Sequence, residues 1–177
     1  MGSPKALLMY RGETFLDRLV GVFAARLNPV IVVLGAAEEE VRARTLRAAT
    51  FVVNGDYAVG QTSSLQCGLR AVPTGAEGIL MTLVDRPAVA EATVDALVSA
   101  GSSLPLRVPR YQGRRGHPIW FSRALVAEFL ALGTEGAASD VVHRHTGETE
   151  FLDLDDPGIT ANVDDPAAYR ALVESGL

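Results

Sequence analysis

Two uninterrupted apolar runs constrain this chain more than any other feature: Val30-Ile31-Val32-Val33-Leu34, stopped by Gly35, and Gly78-Ile79-Leu80-Met81-Thr82-Leu83-Val84, stopped by Asp85. A short apolar run bounded by punctuating residues fits a strand buried on both faces, as in a parallel sheet covered by helices. The surrounding segments have the matching helical character. From Glu13 to Leu27, apolar residues at Phe15, Leu16, Leu19, Val20, Phe23 and Leu27 form one stripe, which Pro29 ends. A polar, Arg-rich helix over 38–49, a short strand at Phe51-Val52-Val53 and a helix over 63–72 follow. A further helix opens at Thr93, or as early as Val89. Strands alternating with helices imply βαβ units and a mainly parallel sheet.

Beyond Gly101 the pattern changes. Residues 106–111 and 118–121 read as a β-hairpin joined by Gln112-Gly113-Arg114-Arg115-Gly116, and a helix over 122–132 has Ser122 as its cap. Short strands are expected at 151–154 and 159–163. Asp165 caps a last helix with Pro166 at its first position. No linker divides the chain, so 1–177 is read as a single domain.

With 177 residues and 48% hydrophobic content, the chain is long enough to bury a core of its own. A net charge of -5 argues against a dedicated nucleic-acid binder, although a nucleotide needs only a local cluster of amides and a cation or two. No stretch approaches the ~20 apolar residues of a membrane span, and no secretory leader is visible. Cys67 is the single cysteine, so there is no internal disulfide and no cysteine pair for zinc; a reduced, cytoplasmic setting is expected.

Several residues could carry chemistry. Asp85 ends a strand and precedes Arg86-Pro87; there it either caps the next turn or faces a ligand at the carboxyl edge of the sheet, where it could hold Mg²⁺. Asp164 and Asp165 follow the last expected strand. Asp165 suits the cap, leaving Asp164 free for a metal, unless capping accounts for both. Lys5 is either a solvated lysine or a point charge for a phosphate. Ser63 and Ser64 put hydroxyls at a helix start, for which capping by Ser63 is the plain explanation. Gly68 inside that helix signals close packing or the approach of a ligand. His117, within Gly116-His117-Pro118, has no partner at metal-ligand spacing and is either structural or a positioning group. His143 and His145 read as surface residues.

The order of these pieces is more specific than any one of them. Met1-Gly2-Ser3-Pro4-Lys5, Ser64 four residues before Gly68-Leu69, Asp85-Arg86-Pro87, Gly116-His117-Pro118 and Asn162-Val163-Asp164-Asp165-Pro166 follow one another. Together they resemble the MobA-like nucleotidyltransferase family along essentially the whole chain, with the molybdenum cofactor cytidylyltransferases as the nearest branch. The resemblance implies an α/β, Rossmann-like three-layer sandwich of the nucleotide-diphospho-sugar transferase type, with a mostly parallel sheet and a β-hairpin insertion in the C-terminal half. It implies Mg²⁺-dependent transfer of CMP from CTP to molybdopterin with release of pyrophosphate, and a molybdenum hydroxylase or its chaperone as protein partner. Asp85 and Asp164 match the metal-binding acids. Gly2 and Lys5 match the phosphate loop, with Lys5 and Asp85 as the catalytic pair. Ser64 matches a base-contacting position, and Gly116, His117 and Pro118 match the acceptor-side motif.

The sequence departs from that pattern in two places. The family loop LAAGxSxRMGxPK is represented only by its end, so the chain is expected to be truncated at its N-terminus, lacking the first strand and half the loop, and to release little pyrophosphate. Arg86 stands where relatives often carry a neutral side chain. Another acceptor (the guanine form of the cofactor or a sugar phosphate) and a nucleotide-binding protein without catalysis are the alternatives.

Overall fold

The computed structural model describes residues 3–133 and 135–177. After a single 3-10 turn at Lys5–Leu7, a tight hairpin forms from β1 (Met9–Tyr10) and β2 (Glu13–Thr14). Its two-residue turn, Arg11-Gly12, has positive φ at both positions, which is the geometry such turns require. Helix α1 (Phe15–Ala24) follows directly, and the Thr14 hydroxyl caps it by accepting from the Asp17 N–H at 3.0 Å. Strand β3 (Ile31–Leu34), helix α2 (Glu38–Arg44) and strand β4 (Thr50–Val53) form a βαβ unit, with β3 and β4 parallel.

Helix α3 (Gln61–Arg70) leads to β5 (Gly78–Met81), and α4 (Glu91–Ser99) leads to β6 (Leu106–Tyr111). Strand β6 turns at Gln112-Gly113, again with positive φ at both residues, into β7 (Arg114–Arg115), so part of the expected loop 112–116 is itself paired. Strand β8 (Ile119–Ser122) lies antiparallel to both β5 and β6, and β9 (Thr149–Asp153) is parallel to β6. Between β8 and β9 the chain forms α5 (Val126–Leu130) and α6 (Ala138–Arg144), and α7 (Pro166–Ser175) ends the fold.

Helices cover both faces of the sheet. Alternating side chains of β5 show this: Ile79 and Met81 pack with Leu69, Phe121, Phe129 and Val141, on the side of α3, α5 and α6. Leu80 packs with Leu19, Phe23 and Val94, on the side of α1 and α4. The fold is thus the expected three-layer α/β sandwich with a mixed sheet. Gly68 has a packing reason, because a Cβ there would come within 2.9 Å of Val33 Cγ2 and force α3 off β3.

The sheet is not continuous. β4 and β3 form one ladder, and β5, β8, β6, β7 and β9 form the other. Among the described residues, no strand pairs with the second edge of β3 or of β5. A groove of about 240 Å³ is lined by Val32, Val33 and Leu34 together with Val84, Leu16 and Lys5. Neighbouring strand residues point to opposite faces, so a groove touched by three consecutive residues runs along the edge of β3. Both apolar runs are therefore only half-buried along most of their length, despite their composition.

Four local expectations are corrected. The run 78–84 is paired only through Met81, because its partner ladder stops at Ile119, next to Pro118, which has no N–H to donate. Residues 159–163 are not a strand; a 3-10 turn at Pro157–Ile159 is pinned by Asp156, which accepts from the Gly158 and Ala90 N–H groups and the Thr93 hydroxyl. Ser63 is not a cap, since α3 starts after Gly60 and the Ser63 hydroxyl donates to carbonyls instead. Ser122 makes no capping bond, and its hydroxyl is buried without a partner among the described residues. The Asp165 cap is as expected, its carboxylate accepting from Ala167 and Ala168 at 2.8 Å. No helix among the described residues is long and apolar enough to cross a membrane.

Candidate active site

The site is assembled at the carboxyl end of β5. The chain turns there through Val84-Asp85, and the Asp85 carbonyl accepts from the Val163 N–H at 2.9 Å. That bond brings the segment leading into α7, and with it Asp164, alongside Asp85. Lys5 reaches the same place from the other end of the sequence, with its Nζ 2.9 Å from Asp164 Oδ1. Asn162 donates to the second Asp164 oxygen. Lys5, Asp85 and Asp164 are thus gathered by contacts that span nearly the whole chain.

The two acids differ in environment. Asp164 is exposed, with 61% of its side chain accessible, and the Lys5 ammonium holds its carboxyl below the usual range. Asp85 is half-buried, and burial pushes its carboxyl up, against the pull of Arg86 and Lys5. Its Oδ1 is buried and has no hydrogen-bond partner among the described residues. An unsatisfied buried carboxylate oxygen costs free energy unless something fills its place, and a cation is the natural occupant.

No group of three or more metal-ligating side chains occurs among the described residues. This donor set suits a hard cation such as Mg²⁺, which takes one or two carboxylates and completes its shell with water and substrate phosphates. Asp85 and Asp164 would hold it.

The segment Gly116-His117-Pro118 lies against the 3-10 turn at Pro157–Ile159. Its residue His117 donates its N–H to the Ile159 carbonyl at 2.9 Å, and Arg86 Nη1 donates to the same oxygen at 3.2 Å. Gly116 has no alternative, because a Cβ would sit 2.5 Å from that carbonyl oxygen. Pro118 follows in a cis peptide. Burial, then the nearby Arg86 charge, lowers the His117 pKa to about 4, so the ring is neutral at pH 7. Its Nδ1 is buried without a partner among the described residues.

Such a histidine makes stability depend on pH with a defined sign. The unfolded ring titrates near 6.5 and the folded ring near 4, so only the unfolded state binds the proton between those values. The contribution is complete above pH 6.5 and is lost as pH falls towards 4, by on the order of 3 kcal/mol. Chemical denaturation at pH 7.5 and 4.5 should show a smaller pH-dependent loss for His117→Gln than for the unchanged protein. An equal loss in both would place the titration elsewhere.

Ser64 lies near the start of α3, where its hydroxyl accepts from Asn54 Nδ2 at 3.0 Å. Asn54 follows β4, is buried, and also donates to Ser63 at 2.9 Å. The Asn54 N–H is held by the Leu34 carbonyl, at the end of β3 that borders the open groove with Lys5. Among the described residues no hydrogen bond joins Ser64 to Lys5, Asp85 or Asp164. Gly2 lies outside the described residues.

Residues 1–149 match the MobA-like NTP transferase domain, most of the chain. The chain belongs to the MobA-like NTP transferases. Among solved structures, Rv0371c from Mycobacterium tuberculosis H37Rv is 34% identical with a TM-score of 0.88, over 98% of this chain and 90% of that one. A structure of Rv0371C in complex with manganese is 35% identical with a TM-score of 0.84, over 97% and 92% of the two chains. A nucleotidyl transferase from Methanothermobacter thermautotroptrophicus shares the fold at 22% identity and a TM-score of 0.83, over 97% and 84%. No match was found among curated proteins.

Some contacts of this MobA-like transferase have no counterpart in its sequence motifs. Asn54, in the turn Asn54-Gly55-Asp56-Tyr57, accepts at its Oδ1 from the Asp56 N–H, as turn residues do. Its amide nevertheless fixes both serines. The Ile159 carbonyl orients Arg86 and His117, a role that no side-chain pattern could signal. The expected surface position of His145 is also incomplete: its ring is clamped between Glu128 and Glu148 at 2.8 and 2.6 Å, joining α5 to the end of α6.

Proposed function

We propose that this nucleotidyltransferase moves CMP from CTP to the terminal phosphate of molybdopterin, with release of pyrophosphate and with Mg²⁺ bound by Asp85 and Asp164. The observation that carries the reading is the half-buried Asp85 carboxylate, one oxygen unsatisfied, at the carboxyl end of β5 and grouped with Asp164 and Lys5. Ligands of open α/β sheets bind at that edge.

In the transfer, an oxygen of the acceptor phosphate forms a bond to the α-phosphorus. The bond from that phosphorus to the bridging oxygen breaks, and its electron pair leaves with pyrophosphate. The acceptor oxygen is already ionised, so no strong general base is required, which suits a site whose nearby histidine is neutral and weakly basic. A bound divalent cation supplies neutralisation of charge on the phosphate oxygens. Lys5 places a second positive charge beside the same phosphates once the nucleotide competes with Asp164 for it. Asn54 holds Ser64 towards the base, and Gly116, His117 and Pro118 shape the acceptor side. The lone free thiol, Cys67, is compatible with a cytoplasmic reaction.

The test is pyrophosphate release with molybdopterin as acceptor and each of the four ribonucleoside triphosphates in turn. Release is expected with CTP and Mg²⁺, at least tenfold above GTP, and abolished by EDTA. Preference for GTP, or for a sugar phosphate as acceptor, would overturn the CTP–molybdopterin assignment. A second reading, nucleotide binding without turnover, is favoured by the open groove beside Lys5, and binding of CTP with no release would support it.

A further inference from the structure

Arg86 differs from Lys5, the other cation gathered with the two acids. Lys5 is paired with Asp164. Among the described residues the Arg86 side chain makes one hydrogen bond, Nη1 to the Ile159 carbonyl at 3.2 Å. Its Nε is buried with no partner, and no carboxylate oxygen among the described residues lies within 4 Å of its guanidinium. A guanidinium carries five N–H donors arranged as a planar fork, and one left unsatisfied in a buried setting calls for an acceptor.

The surroundings specify the acceptor. Arg86 is near enough to Asp85, Asp164 and His117 to influence the charge of all three. His117 contributes a second unpaired buried atom, Nδ1, and no charge of its own at neutral pH. The two acids are balanced by Lys5 and Arg86, so a divalent cation on the acids would leave the site strongly positive. Arg86 and His117 share the Ile159 carbonyl, which fixes one relative to the other. Because Asp156 pins the 3-10 turn that presents this carbonyl, both side chains stand on a braced surface.

We propose that Arg86 is a specificity-determining residue that binds the phosphate monoester of the acceptor through its guanidinium fork, beside His117. The assignment rests on the reading of this site as one that transfers a nucleotidyl group to a phosphate. It goes beyond that reading in giving the acceptor an anion subsite of its own, carried by Arg86. A fork suits a phosphate better than an ammonium does, because two parallel N–H donors meet two oxygens.

The experiment is calorimetric titration of inorganic phosphate into the protein saturated with α,β-methylene-CTP and Mg²⁺, comparing the unchanged chain, Arg86→Gln and Arg86→Lys. Arg86→Gln should weaken phosphate binding at least tenfold and Arg86→Lys by a smaller factor, with affinity for the CTP analogue held within twofold. Phosphate affinity unchanged in Arg86→Gln would overturn the proposal. So would parallel loss of phosphate affinity, analogue affinity and thermal stability in both variants, which is the signature of a structural arginine. Should the analogue fail to bind the unchanged protein, the nucleotide reading fails separately. Phosphate titrated into the protein alone then decides Arg86 by the same comparison: weakened binding in Arg86→Gln supports the subsite, and equal binding refutes it.

Discussion

Replacing Asp85 with alanine is expected to abolish Mg²⁺-dependent transfer, lowering kcat by about 10³ or more, equivalent to roughly 4 kcal/mol of transition-state stabilisation. The size follows from position. Asp85 is the acid at the strand end whose oxygen is buried and unsatisfied, whereas Asp164 is exposed and already engaged by Lys5 and Asn162. Asp164→Ala should therefore cost less, of the order of tenfold, and should also free Lys5. Asp85→Asn separates charge from shape, since it keeps the side-chain volume and one acceptor oxygen while removing the negative charge. If binding a cation is the role of Asp85, Asn should be nearly as inactive as Ala, and the Mg²⁺ concentration for half-maximal rate should rise sharply in both. Retention of most activity by Asp85→Ala would remove Asp85 from the site.

The second large effect concerns the open groove along the edge of β3. Among the described residues that edge is unpaired, and the groove is lined mainly by apolar side chains, among them Val32, Val33, Leu34, Val84 and Leu16. One extended strand laid in that groove would pair with the β3 edge and bury the side chains that line it. A net gain of about 2 kcal/mol is a modest expectation for such burial, and it corresponds to roughly 4–8 °C in Tm for a chain of this size. An extension ahead of Met1 carrying an apolar strand and the segment Leu-Ala-Ala-Gly-x-Ser-x-Arg is expected to raise Tm by that amount. It should also raise Mg²⁺-dependent pyrophosphate release at least tenfold, because backbone amides would then surround the triphosphate beside Lys5. Equal Tm and equal turnover with and without the extension would show that the β3 edge has no part in stability or catalysis.

Local pattern carried the fold a long way. The apolar stripe of α1, the run of β3 and the Asp165-Pro166 start of α7 were all legible because each depends on neighbours in sequence. Failures occurred where tertiary partners decide. Leu83 and Val84 are as apolar as the residues before them, yet they have no partner to pair with, so β5 stops at Met81. Ile159 begins a run that reads as a strand, but Asp156 captures the local amides and bends it into a turn.

For the site, residue types and order suggested Asp85, Asp164, Lys5 and His117. What no linear reading contains is that Lys5 and Asp164 are an ion pair, since 159 residues separate them. Nor does it contain the single carbonyl of Ile159 on which Arg86 and His117 converge. Such relations exist only once the 3-10 turn and the Asp85–Val163 bond have folded the two ends of the chain together.

The most direct test of the account is transfer of label from [α-³²P]CTP to molybdopterin in the presence of Mg²⁺, using the strand-extended protein and its Asp85→Ala variant. The account predicts a labelled dinucleotide that resists phosphatase, formed with one pyrophosphate released per product and absent in the variant. Label that stays in CTP in the extended protein, or a product formed equally well without Asp85, would contradict it.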